Sequence, residues 1–191
     1  KLLYQYEGID PDTGLYKVAD INGDGRYTYE DRTLIKNFDK KFFGGFGNTI
    51  GYKGFSLQFL MTFARQEGFL KQFDAGVFGN QRAVVLDALK EGSSFQKITT
   101  SYKSRTAYDR VLNSDFPIED VSYLRLKNIS LSYSLPSSFL AKSGMKTGRI
   151  FLNGQNLFTI TGYEGIDPEF PMGGNYFSSL SSINAGVQLQ F

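Results

Sequence analysis

Residues 20–31, DINGDGRYTYED, carry oxygen ligands at alternate positions, which makes them the segment best equipped for chemistry. Asp20, Asn22 and Asp24 stand at positions one, three and five of a loop of the form D-x-[DN]-x-[DN]-G, and Gly25 at the sixth. Arg26 offers its backbone carbonyl at the seventh. Calcium takes six to eight hard oxygens, and a glycine at the sixth position permits the sharp turn that gathers them. Position twelve holds Asp31 where Glu is usual; the shorter carboxylate can still ligate. Flanking helices are not evident, so this reads as an isolated calcium loop. The alternative is an Asx- and Gly-rich turn without metal. The expected metal ligands are Asp20, Asn22, Asp24, Arg26 and Asp31, and the expected cofactor is a structural Ca2+ that stiffens the loop.

Other chemistry is thinly represented. The chain has no Cys and no His, which removes disulfides, thiolate nucleophiles, the commonest general base and the commonest zinc ligand. There is no nucleophile elbow, phosphate loop or metal-catalytic cluster. Carboxylates are plentiful, but nothing fixes two of them at the separation that glycoside hydrolysis needs. The expectation is a protein that is not an enzyme, with no catalytic residue. Lys and Arg are scattered and the net charge is only +2, which argues against a nucleic-acid partner. A near-repeat links Tyr6-Glu7-Gly8-Ile9-Asp10-Pro11-Asp12 to Tyr163-Glu164-Gly165-Ile166-Asp167-Pro168-Glu169. Its Gly and Asp-Pro punctuation is turn chemistry first, and a sugar- or peptide-contacting surface second.

The elements that must position these residues are strands. Aromatics reach 16%, Gly numbers 21, and helix-forming runs are few, all of which point to an all-β protein. The closing SINAGVQLQF sets Ile183, Ala185, Val187, Leu189 and Phe191 against Asn184, Gly186, Gln188 and Gln190. Period-two alternation of this kind shows one face to an oily phase and one to a polar space. Phe42, Phe46, Ile50 and Tyr52 share a face opposite Gly45, Gly47, Thr49 and Gly51. Lys53-Gly54 makes a tight turn. Phe55, Leu57, Phe59, Met61 and Phe63 then alternate with Ser56, Gln58 and Thr62, Leu60 being the exception. Expected strands are 42–66, 120–133, 149–160 and 182–191, with a β-bulge at Lys127-Asn128 where the phase slips. Short helices are expected over 83–92 and 137–142.

Connections alternate between short and long. Outer-membrane barrels have short periplasmic turns and longer external loops. A periplasmic C-terminus then assigns 5–40, 67–118 and 161–182 to extracellular loops. About five strands cannot close a barrel, for which eight is the smallest number, so the rest of the wall is expected from a larger polypeptide. The opening KLLYQYEG, which lacks Met and a signal-peptide pattern, reads as a piece of something longer or as a processed product.

Five stretches together resemble the C-terminal end of SusC/RagA-type TonB-dependent outer-membrane transporters of Bacteroidetes: DINGDGRYTYEDRTLIKN (20–37), FGGFGNTIGYKGFSLQFLMTF (43–63), VSYLRLKNISLSYSLP (121–136), RIFLNGQNLFTITGYEGIDPE (149–169) and INAGVQLQF. The resemblance leaves out only 67–118. It implies the last strands of a 22-stranded antiparallel transmembrane β-barrel whose plug domain and TonB box are absent from this chain. It also implies a SusD-like surface lipoprotein as partner, energy delivered through TonB, and import of glycans or peptides. The resemblance also implies calcium in such a surface loop, carried onto Asp20, Asn22, Asp24, Arg26 and Asp31. The terminal Phe191 matches the aromatic that barrel-assembly machinery reads.

On that reading Phe55, Leu57, Phe59, Ile183, Val187 and Leu189 face outer-membrane lipid. Two competitors use the same residues differently. One is a secreted, calcium-stabilised β-sandwich that binds carbohydrate. The other is a surface assembly built on a barrel that does not transport.

Overall fold

The computed structural model describes residues 1–69, 76–77, 80–81, 96, 101–142, 144–165, 167–171 and 178–191. Its centre is one antiparallel sheet of five long strands. These are β1 (Phe42–Tyr52), β2 (Phe55–Arg65), β3 (Tyr123–Ser134), β4 (Thr147–Gln155) and β5 (Ser182–Gln190), in the spatial order β5-β4-β3-β2-β1. The fold is all-β, as the alternation predicts. An eleven-residue strand is about 36 Å long, enough to cross about 25 Å when tilted near 45°.

Register sorts the side chains into two faces. Ile50 stands opposite Leu57, Leu57 opposite Leu131, Leu131 opposite Leu152, and Leu152 opposite Ala185. One apolar surface therefore runs unbroken across all five strands. Ring pairs reinforce it: Phe42 with Phe63 at 5.3 Å, Phe46 with Phe59 at 5.7 Å and Phe55 with Tyr133 at 4.5 Å between centroids. Among the described residues no second layer covers this face. Ile50, Ile150, Leu152, Ile183 and Val187 keep 47% to 68% of their surface exposed. The opposite face carries Thr49, Gln58, Ser130, Asn153, Asn184 and Gln188. Leu60 breaks the alternation because it lies on that polar face over Gly45 and Gly47, where the missing side chains leave room.

Lys53 and Gly54 take positive φ of 45° and 87°, which matches the tight two-residue hairpin expected there. The β-bulge appears where the phase slips, as a register shift between Leu126 and Asn128. The strand expected over 149–160 is interrupted. β4 ends at Gln155, Asn156 turns with φ 49°, and Thr159–Thr161 resumes pairing with Tyr123–Arg125. The interruption lies opposite the bulge, so both strands accommodate the same irregularity: Asn156 N–H donates to the Lys127 carbonyl at 3.0 Å.

The short connections meet at one end of the sheet. There Ser134 N–H donates to the Gly54 carbonyl at 2.8 Å. The helical turn expected over 137–142 is present as α2 (Ser137–Lys142), whose Leu140 lies against Gly148 of β4.

The described parts of the long connections gather at the other end, and the packed core sits there rather than in the sheet. Leu3, Val18, Val111 and Val121 are at most 1% exposed. Tyr16, Tyr108 and Val111 form a cluster joined by Tyr6, Ile9, Leu112 and Phe116. Part of this core comes from α1 (Tyr102–Val111), a helix within the stretch read only as a long excursion. Its Ser101 cap accepts from Ser104 N–H, and Ala107, Tyr108 and Val111 form its buried stripe. The helix expected over 83–92 lies outside the described residues.

Candidate functional site

The long-loop end holds two built features. The first is an ion-pair network between the polar face of β3 and the 161–171 segment. Arg125 is 4% exposed and Asp167 3%. The guanidinium grips Asp167 with two bonds, Nη2 to Oδ1 at 2.7 Å and Nη1 to Oδ2 at 3.2 Å. Its Nε donates to Thr159 Oγ1 at 2.7 Å, and Nη1 also reaches Glu169. Lys127 Nζ meets Glu169 Oε2 at 2.8 Å.

Asp167 further accepts the N–H groups of Glu169 and Ser179, each at 2.9 Å. Burial alone would raise its carboxyl pKa. Arg125 and these two N–H donors outweigh that and hold it below the usual carboxylate range. The segment is thereby fastened to the sheet through a fully partnered buried charge.

The two copies of the near-repeat share a local turn and differ in tertiary use. Asp10 Oδ1 accepts from Asp12 N–H, as Asp167 Oδ1 does from Glu169 N–H. Asp10 also takes Thr13 N–H and stays at the surface, whereas Asp167 is drawn under the loop by Arg125. The turn reading holds for both.

The second feature is the 20–31 loop. Asp20 accepts Gly23 N–H on Oδ1 and Gly25 N–H on Oδ2, both at 2.8 Å. Asn22 Oδ1 accepts Asp24 N–H at 3.1 Å, and Asp24 Oδ1 accepts Arg26 N–H at 2.7 Å. Gly23 and Gly25 adopt φ of 72° and 73°, which explains glycine at those positions.

Asp31 turns inward instead. It is fully buried and takes Ile21 N–H at 3.0 Å and Thr28 N–H at 2.7 Å. With Thr28 it forms a capping box on the short 3-10 turn Tyr29–Asp31. The Thr28 N–H keeps its carboxyl below the ordinary range, against the opposing effect of burial. The backbone thus closes the loop by itself. Among the described residues no three acidic, His or Cys side chains converge as a ready metal cage. Asp20 is half-buried and Asn22 and Asp24 are exposed, each already accepting loop N–H groups through the side-chain oxygens a cation would share.

No protein-family model matches the sequence. Curated relatives do. TonB-dependent receptor P3 of Formosa agariphila is 33% identical over 181 residues, covering 87% of this chain. The chain belongs to the TonB-dependent receptors. TonB-dependent receptor SusC of Bacteroides thetaiotaomicron is a more distant member, 25% identical over 184 residues and 91% of the chain. Among solved structures, the RagAB peptide importer in its "open-open" state aligns with a TM-score of 0.74 and 25% identity over 99% of the chain. This member of the family spans 18% of the P3 receptor, 17% of SusC and 22% of the RagAB chain. The match to SusC and RagAB agrees with the resemblance read from the sequence.

Sequence reasoning about this receptor chain missed Arg125, Lys127 and their carboxylate partners. One signal was available. Arg125 is a charge inside a strand, at a polar-face position opposite Thr62, and such a residue calls for a partner. What the sequence does not give is which of 19 acidic residues folds back to meet it.

Proposed function

We propose that this chain is wall and outer-loop structure of an outer-membrane TonB-dependent importer that works with a SusD-like surface lipoprotein. One observation supports the reading above all: five adjacent strands expose a continuous apolar face while the opposite face is polar. In lipid such a surface is solvated by acyl chains; in water it would be a large exposed patch of the kind that promotes aggregation. Both edge strands, β1 and β5, are long and unpaired among the described residues, which supports completion of a barrel by further strands. A 22-stranded closure follows the family resemblance.

The substrate class is glycans or oligopeptides, and the peptide-importer relative supports the second. The chain's role is binding and passage rather than catalysis. A calcium ion bound by Asp20, Asn22, Asp24 and the Arg26 carbonyl, with Asp31 bracing the loop, belongs to the same proposal and rests on the loop's spacing. The sandwich alternative needs a second sheet over the apolar face, and none lies there among the described residues.

Uptake of labelled oligosaccharides and oligopeptides by cells carrying the receptor tests this. Import that stops when TonB is deleted, together with co-purification of a surface lipoprotein, is the expected result. A receptor that fractionates as a soluble protein, or uptake unaffected by TonB, overturns it.

A further inference from the structure

Charge divides this chain by end. Among the described residues every acidic side chain falls within 7–39, 67–69, 109–120 and 164–169, the connections gathered at the long-loop end. Among the described residues the short-turn end has no acidic side chain and three exposed lysines, Lys53, Lys142 and Lys146. They belong to one contiguous surface. The Lys53-Gly54 turn is bonded to Ser134, which leads into α2, where Lys142 sits. Lys146 N–H donates to the Gln190 carbonyl at 2.7 Å, and its Nζ donates to a backbone oxygen of Phe191, the last residue, at 3.0 Å. Lys53 Nζ stands 5.2 Å from the Tyr52 ring centroid. Tyr52, Phe139 and Phe191 are 52% to 72% exposed on the same surface.

We propose that this end is a binding surface for anionic phospholipid headgroups. The lysines receive the lipid phosphates, and Tyr52, Phe139 and Phe191 lie at the boundary between headgroup and acyl chain. Three observations converge on that occupant. The surface carries no acidic side chain among the described residues, and with Lys146 held by the Phe191 oxygen it still presents Lys53 and Lys142 as exposed cations. It adjoins the apolar face, so it stands where hydrocarbon gives way to headgroups. It also combines exposed aromatics with lysines, the composition that anchors proteins at a membrane interface. Each lysine near an anionic surface contributes about fivefold in affinity. The inference rests on the membrane-wall reading of the sheet.

The test uses the full-length receptor in detergent, titrated with short-chain phosphatidylglycerol, phosphatidylcholine of equal chain length, and inorganic phosphate. Tighter binding of phosphatidylglycerol is expected, falling at least tenfold in Lys53→Gln/Lys142→Gln/Lys146→Gln and retained in the corresponding triple Arg variant. Equal binding of the two lipids overturns the proposal, as does an unchanged triple Gln variant. Competition by millimolar phosphate also overturns it, by marking a free-anion site. A receptor that fails to insert into vesicles at all refutes the membrane reading itself, an outcome distinct from these.

Discussion

Arg125→Ala should destabilise the receptor by about 3 kcal/mol, the lower part of the range for breaking a buried ion pair. The lower part applies because Asp167, 3% exposed, loses both guanidinium bonds but keeps the N–H groups of Ser179 and Glu169. Lys127 also remains against Glu169. The strain therefore falls on a carboxylate that is still partly solvated by backbone. The assay is reversible unfolding of the full-length receptor in lipid, with limited proteolysis within 162–171 as a second readout, since the segment should come away from the wall. Arg125→Ala/Asp167→Ala should be less destabilised than the sum of the single variants by about 1–3 kcal/mol, because the second change removes the orphaned charge. Lys17→Ala is the control. Its pair with Glu7 is 49% and 39% exposed, so water and salt screen it and its loss should have little effect on stability. Equal effects at Arg125 and Lys17, or strict additivity in the double variant, would refute the assignment of a buried anchor.

Asp167 also predicts a pH dependence. Its folded pKa lies below the ordinary value, so its contribution is complete above about pH 3.9 and fades as pH falls through the lower folded value. The stability gap between wild type and Asp167→Asn should therefore narrow in acid; a gap constant down to pH 2 contradicts the pairing. Gly148→Val puts a branched side chain where even a Cβ stands 2.7 Å from Leu135 Cδ1 and 3.0 Å from Leu140 Cδ2, more than those flexible tips can absorb by swinging aside, and should cost about 1–3 kcal/mol by overpacking. A neutral result there would mean that Leu135 and Leu140 do not lie against β4. Calcium should raise the unfolding temperature of wild type and not of Asp24→Ala; indifference of both to calcium and to chelator removes the ion from the account.

What the sequence made legible was the part governed by period two. Alternation through 42–63 and 183–191 gives the strands, their faces and the hairpin, because a one-residue slip would turn every side chain over. The phase slip near Lys127 likewise announced the bulge. The long-loop end was far less legible. Its core is assembled from Leu3, Val18, Val111 and Val121, which lie scattered along the chain and carry no shared period. α1 was hidden for a related reason: its apolar stripe is only Ala107, Tyr108 and Val111 amid polar residues, and tertiary packing decides it. The calcium spacing was plain in DINGDG, yet the spacing could not reveal that Asp31 turns inward to cap Thr28. Nor could one strand arginine declare that Asp167 would reach it from 42 residues away.

The measurement that bears most directly on the whole account compares two arginines on one strand. Val187 lies on the apolar face of β5, cross-strand from Ile150, while Asn184 lies on the polar face opposite the uncharged Asn153. In full-length receptor folded into bilayers, Val187→Arg should cost about 2–4 kcal/mol, the range for the bilayer midplane, and Asn184→Arg much less. Similar costs at the two positions would show that no lipid lies against the apolar face.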